Sequence, residues 1–204
     1  MKKLTSLIIF VGLAINVSGQ DQPKNLKEAF KADWLIGTWE STNDDGQVSG
    51  QTFGWKIQDV LIVRESKGND GEVQGFGIIS LDVDEDKVLY HSFNNRYASI
   101  GEIKFEGQKM IRTSTWKSKK LSEEQIQSRV ESIVANQLAS GSVQEADVPQ
   151  LKQGIRNYFQ RTSGTRKYTY EKQGENKLLM TRASKNTSGE FVERDPVTLT
   201  RKKE

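Results

Sequence analysis

Arginines and aromatic residues alternate with a period of two in several short stretches of this 204-residue chain. In Met110–Trp116, an extended backbone puts Arg112, Ser114 and Trp116 on one face and Ile111, Thr113 and Thr115 on the other. In Arg166–Tyr170, Arg166 shares its face with Tyr168 and Tyr170, and in Val60–Glu65 Arg64 goes with Val60 and Ile62. Large aromatics on a strand belong inside, so Arg64, Arg112 and Arg166 are expected to line an interior. Trp55, Phe76, Tyr90, Trp116, Tyr168 and Tyr170 would complete its wall. A guanidinium fork pairs with a carboxylate while apolar walls take a tail, so the pattern suits a small hydrophobic or amphipathic ligand with an anionic head. The competing reading is that each arginine simply faces solvent.

Other chemistry is thin. His91 is the only histidine and there is no cysteine, so a zinc site would need one His and carboxylates alone. A serine hydrolase would need a Gly-x-Ser-x-Gly elbow, which the chain does not contain. His91, in Leu89-Tyr90-His91-Ser92-Phe93, is expected on a strand as a polar residue or a donor on the cavity wall. Asp82, Asp84, Glu85 and Asp86 cluster, but without the glycine and distal glutamate of a calcium loop they read as a solvated turn. Gly75-Phe76-Gly77 is followed by strand rather than helix, so it is not a dinucleotide loop. No catalytic residue, metal or cofactor is indicated.

Short β segments with turn residues between them must position these side chains. The expected strands are Leu35–Ser41, Gly50–Ile57, Val60–Glu65, Val73–Leu81, Val88–Phe93, Tyr97–Phe105 and Met110–Trp116. After an interruption come Arg166–Glu171, Leu178–Ala183 and Phe191–Thr200. The interruption, residues 121–160, reads as a helical hairpin. Ile126, Val130, Ile133, Val134 and Leu138 recur at spacings of three and four, and Leu151, Ile155, Tyr158 and Phe159 form a second stripe. About ten successive hairpin-linked strands are best accommodated as an all-β, single up-and-down antiparallel β-barrel, which leaves no exposed sheet edge.

The N-terminus reads as a targeting segment. Met1-Lys2-Lys3 is basic, Leu7 to Val17 is mostly apolar, and Val17-Ser18-Gly19 is a small-residue cleavage site. The apolar run is too short to span a bilayer. The expected organisation is a signal peptide at 1–19, an N-terminal extension at 20–32, and a barrel at 33–204 with its insert at 121–160. Export without cysteines favours a bacterial periplasm or the medium. Cleavage after Gly19 removes Lys2 and Lys3, leaving 28 basic residues against 27 acidic. Near-neutrality gives no long-range pull on a phosphate backbone, so nucleic acid is not an expected partner.

Gly37-Thr38-Trp39, in "DWLIGTWE", resembles the Gly-x-Trp motif of the calycin superfamily, and the longer run resembles exported bacterial lipocalin-like domains. That resemblance implies a ligand-binding barrel whose first-strand Trp39 closes the floor beneath a basic residue of the last strand, Arg201, with Arg182 as the other candidate. Calycins include nitrobindin-like haem barrels, but their axial histidine sits late in the chain, where this sequence has none. Haem binding or isomerase chemistry at His91 is therefore the lesser alternative to non-catalytic binding. The helical insert departs from the simple calycin pattern. It is expected to be a lid over the barrel mouth, packing on the outer wall, or a surface for a protein partner.

Overall fold

The computed structural model describes residues 25–43 and 46–203. The signal peptide expected at 1–19, the start of the extension and Asp44-Asp45 of the first turn lie outside the described residues. Among those described, no helix is long and apolar enough to cross a membrane.

Side chains that imitate turn backbone fix where strands stop. Asp82 Oδ1 accepts from the amides of Asp84 and Glu85 at 3.1 and 3.2 Å, and Asp86 adopts a positive φ of 52°. The acidic cluster is thus an Asx-type hairpin turn. Asn94 Oδ1 accepts from the amides of Arg96 and Tyr97, each at 2.8 Å, to turn the next hairpin.

Between such turns run β1 (Gly37–Thr42), β2 (Val48–Ile57), β3 (Leu61–Lys67), β4 (Val73–Asp82), β5 (Lys87–Asn94), β6 (Tyr97–Glu106) and β7 (Lys109–Ser118). After the helices come β8 (Ser163–Lys172), β9 (Lys177–Lys185), β10 (Phe191–Glu193) and β11 (Val197–Arg201). Each pairs antiparallel with its predecessor from β1 to β9. The far edge of β9 carries β11 along residues 177–180 and β10 along 183–185, and β11 pairs with β1. The result is a closed, ten-strand, up-and-down antiparallel barrel. The last expected strand, Phe191–Thr200, is broken in two because Pro196 has no amide for the ladder.

Closure divides the interior into two zones. At the floor, Leu35, Trp39, Phe53, Ile62, Ile79, Met110, Leu178 and Leu199 are buried in one apolar cluster. The extension contributes here. A short helix α1 (Leu26–Ala29), capped by Asn25 accepting from the Glu28 amide, brings Leu26 and Phe30 under the barrel. Phe30 meets Trp55 and Phe105 edge-on, with ring centroids 6.3 and 5.5 Å apart. Burying side chains of this size contributes about 1.5–3 kcal/mol each, so the floor carries much of the stability.

The insert forms α2 (Glu123–Ala139) and α3 (Val148–Gln160). Ser122 and Gln125 make a reciprocal capping box at the start of α2, and Pro149 occupies the first turn of α3. Their apolar stripes face each other. Ile126, Val130, Val134 and Phe159 are buried with Leu151 and Ile155 against them, as a satellite core separate from that of the barrel.

Candidate functional site

The upper half of the barrel is lined by a different chemistry from the floor. Period-two alternation brings Arg64 and Ser66 inward from β3, Tyr90 and Ser92 from β5, and Tyr97 and Ser99 from β6. Arg112, Ser114 and Trp116 come from β7, and Arg166 and Tyr168 from β8. Register sets them side by side: Arg112 lies opposite Tyr168, and Ser114 opposite both Gly101 and Arg166. Gly77, opposite Arg64, has no side chain for a reason. A Cβ there would come within 2.7 Å of the Tyr90 hydroxyl, so the glycine lets that ring lie across the sheet. The cavity is ≈ 90 Å³, the size for a compact anionic group rather than a whole fatty tail.

Arg112 is its centre. The residue is 4% exposed, and its guanidinium lies between the Tyr90 and Tyr168 rings, 4.1 Å from each centroid. Its Nε and Nη1 are buried with no hydrogen-bond acceptor. Each ring contributes about 0.5–2 kcal/mol of cation–π attraction. The desolvation of one buried ion costs several kcal/mol. The rings therefore leave this cation short of compensation, and an entering anion would supply it.

The other two arginines are better held. Arg64 donates through Nε to Gln51 Oε1 at 3.1 Å and through Nη1 to the Tyr90 hydroxyl at 3.4 Å. Gln51 Oε1 also accepts from the Tyr170 hydroxyl at 3.1 Å, which closes a small polar layer above the apolar floor. Arg166 donates to the Tyr97 hydroxyl at 3.0 Å and lies over the Tyr97 and Trp116 rings, 5.0 and 5.1 Å from their centroids. Among the described residues, no aspartate or glutamate lines the cavity and the ion pairs lie elsewhere.

This positive field acts on the phenols. Burial alone would raise the Tyr90 and Tyr168 pKa values. For Tyr90, Arg112 and then Arg64 outweigh burial, and for Tyr168 Arg112, Arg166 and Arg182 do so, so both fall below the ordinary phenol value. Burial likewise works against the charge on Arg64, but the facing Tyr90, Tyr170 and Tyr168 reverse that and hold its pKa above the usual guanidinium value.

A second chamber of ≈ 280 Å³ opens at the mouth and shares Tyr97, Trp116, Arg166 and Tyr168 with the first. Thr165 of β8, Arg182 and Ser184 of β9, Arg194 beyond β10, and Tyr158 and Arg161 at the end of α3 complete its lining. Arg96 pins this end of α3 to the β5–β6 turn. It donates to the Tyr158 carbonyl at 3.1 Å and stacks on Tyr158 and Phe159 at 4.2 and 4.6 Å.

Of the residues that sequence alone suggested as walls, Arg64, Tyr90, Arg112, Trp116, Arg166 and Tyr168 meet around the cavity. Three lie elsewhere. Tyr170 points inward but sits in the floor-side layer with Gln51, and Trp55 lies lower still, against Phe30. His91 alternates with Tyr90 and Ser92 and so faces outward, between Ile78 and Ile100 in the register. Phe76 borders the cavity, but it sits between the inward Gly75 and Gly77 and pairs with the outward Phe93. The two are 37% and 51% exposed. Sequence reasoning missed Gln51, Ser99, Tyr97 and the arginines of the mouth. The Tyr97-Ser99-Gly101 alternation carried a signal for two of them.

The opposite end holds an arginine of another kind. Arg201 crosses the floor 4.3 Å from the Trp39 ring centroid and donates to the Ile36 and Trp34 carbonyls, each at 2.7 Å. Trp39 Nε1 donates to the Leu35 carbonyl at 2.8 Å. Gly37 has a φ of +130°, and a Cβ there would run into the Arg201 Nη1. The Gly-x-Trp spacing is thus a steric seat for this arginine, whereas Arg182 belongs to the mouth.

No protein-family model matches the chain, and no curated protein matches it. Among solved structures, the crystal structure of Rv2717c from M. tuberculosis is similar, at 10% sequence identity and a TM-score of 0.41. The alignment covers 84% of this chain and 94% of that one.

Proposed function

We propose that the protein is an exported, calycin-type barrel that binds a small amphipathic molecule without converting it. The ligand's anionic group lies among Arg64, Arg112 and Arg166, and its less polar part runs past Trp116 and Tyr168 towards the mouth. The observation that carries this reading is the buried Arg112 guanidinium with two nitrogens lacking acceptors. A polar, cation-lined chamber of ≈ 90 Å³ favours a compact head group over the wholly apolar ligand also considered from the sequence. The calycin assignment is supported by Gly37, Trp39 and Arg201 at the floor, and export by the basic, apolar and small-residue order of residues 1–19. The helical pair serves as a partial lid in this reading, since Tyr158 and Arg161 line the outer chamber.

The test is calorimetric titration of benzoate into the wild-type protein and Arg112→Met. A charge-assisted hydrogen bond contributes about 1.5–3 kcal/mol, so the variant should bind at least about tenfold more weakly. Equal affinity in the two proteins, or no binding by the wild type, would remove the anion-cradle reading.

A further inference from the structure

We infer that the ligand is a dianion, with a compact oxyanion in the inner cradle and a second negative group held at the mouth, joined by a short flat spacer. The inference rests on the anion-cradle reading and extends it to the ligand's other end. An amphipathic molecule with a plain apolar tail calls for an apolar outer chamber. Here the outer chamber instead gathers Arg161, Arg182 and Arg194 around the shared Arg166, again with no aspartate or glutamate in the lining. Arg161 spends one nitrogen on the Lys185 carbonyl at 3.4 Å, and Arg182 and Arg194 take part in none of the ion pairs among the described residues. Cations gathered in a cleft without counter-charge repel one another, and their shared field attracts anions most strongly where low-dielectric walls confine it.

The spacing between the two ends limits the spacer. Arg112 lies opposite Tyr168, and Tyr168 lies opposite Arg182, so the inner and outer arginines stand two strands apart. That is roughly 10 Å between backbones, and both side chains reach inward from there. The walls shared by the two chambers are Trp116, Tyr168 and Tyr97. Ring faces of this kind suit a planar, unsaturated spacer of about one aromatic ring. The ligand class is therefore a small aromatic or similarly flat molecule bearing two carboxylates, or a carboxylate and a phosphate, at opposite ends.

The experiment compares benzoate with benzene-1,4-dicarboxylate by calorimetry on the same preparations, at fixed ionic strength. The wild type should bind the dicarboxylate at least tenfold more tightly than benzoate. In Arg182→Gln/Arg194→Gln, and separately in Arg161→Gln, the ratio of the two affinities should fall towards one. Because the ratio is read within each protein, a loss of folded material cancels. A dicarboxylate that binds no better than benzoate, or an advantage that survives in both mouth variants, overturns the dianion inference and leaves the cradle standing. If neither compound binds the wild type, the cradle reading fails and the dianion inference falls with it. Replacing benzene-1,4-dicarboxylate with 4-phosphonobenzoate then separates a carboxylate from a phosphorus oxyanion as the second group.

Discussion

Arg201 at the floor and Arg112 in the upper barrel share a side chain and a stacking distance, yet they do opposite things. Arg201 lies 4.3 Å from the Trp39 ring centroid, and Arg112 lies 4.1 Å from those of both Tyr90 and Tyr168. What separates them is where the N–H groups go. Arg201 directs its donors to backbone carbonyls at Trp34, Ile36 and Glu175, so its charge is stabilised by the fold itself. Arg112 Nε and Nη1 have no acceptor among the described residues. Cation–π stacking thus does not tell an arginine whose donors the fold satisfies from one whose donors it leaves unpaired. Donor satisfaction does, because an unmade bond to a buried charged group costs more than a stacked ring returns.

Swapping each arginine for methionine tests this contrast and should give the largest effects. Arg201→Met strands the Trp34 and Ile36 carbonyls and removes the clamp on β1, so denaturant unfolding should show a loss of about 2–4 kcal/mol. Arg112→Met removes a buried charge that the unliganded fold does not satisfy. Ligand-free stability should hold or rise, by up to about 3 kcal/mol. If Arg112→Met is the more destabilising of the two, the roles assigned to the two ends are wrong.

A smaller effect sharpens the floor half of the comparison. Gly37→Ala puts a Cβ against the Arg201 Nη1 and holds an alanine at a φ of +130°, which L-residues rarely adopt. The expected cost is about 1–3 kcal/mol, with the affinity of the upper site unchanged. Combined with Arg201→Met, the glycine change should cost less than it does alone, since the guanidinium it meets is gone. Strict additivity in that double-mutant cycle would show that Gly37 serves the backbone only.

The same contrast explains which parts of the molecule the sequence makes readable. Parity along a strand is local, so Arg112-Ser114-Trp116 and Arg166-Tyr168 could be assigned inward from spacing alone. Parity also turns His91 outward once Tyr90 faces in, and Phe76 once the tight Gly77–Tyr90 approach is known, although Phe76 still borders the cavity. Depth is another matter. Tyr168 and Tyr170 share a face, yet one lines the cavity and the other anchors Gln51 beneath it, because depth depends on register with strands far away in sequence. The helical stripes were equally legible at 121–160, but periodicity does not say what a stripe packs against, and here each faces the other. The mouth arginines stayed hidden for the same reason. Arg161, Arg182 and Arg194 come from three separate segments, and the pairing of β8, β9 and β10, with the Arg194 amide donating to the Arg182 carbonyl at 2.9 Å, brings them to one chamber.

Raising the pH probes the two ends with the smallest perturbation, since the tyrosines that respond lie at the Arg112 end and not beside Arg201. Tyr90 and Tyr168 have pKa values below the ordinary 10.0 because neighbouring arginines, Arg112 foremost, outweigh the effect of burial. As the pH rises through those lowered values, a phenolate forms beside Arg112 and takes the place an anionic ligand would fill. Benzoate affinity should therefore fall while the pH is still below 10.0, the ordinary phenol value. Stability of the ligand-free protein should move the other way. Groups whose pKa is depressed by folding contribute stability that is fully present above the unfolded value and lost as pH falls through the folded one, so unfolding free energy climbs across that window. Phenolate absorbance near 295 nm reports the titration directly, and in Arg112→Met it should shift back upward. A wild-type protein whose buried tyrosines ionise no earlier than free phenols would mean that Arg112 does not face them as an uncompensated charge, and the contrast with Arg201 would collapse at its more interesting end.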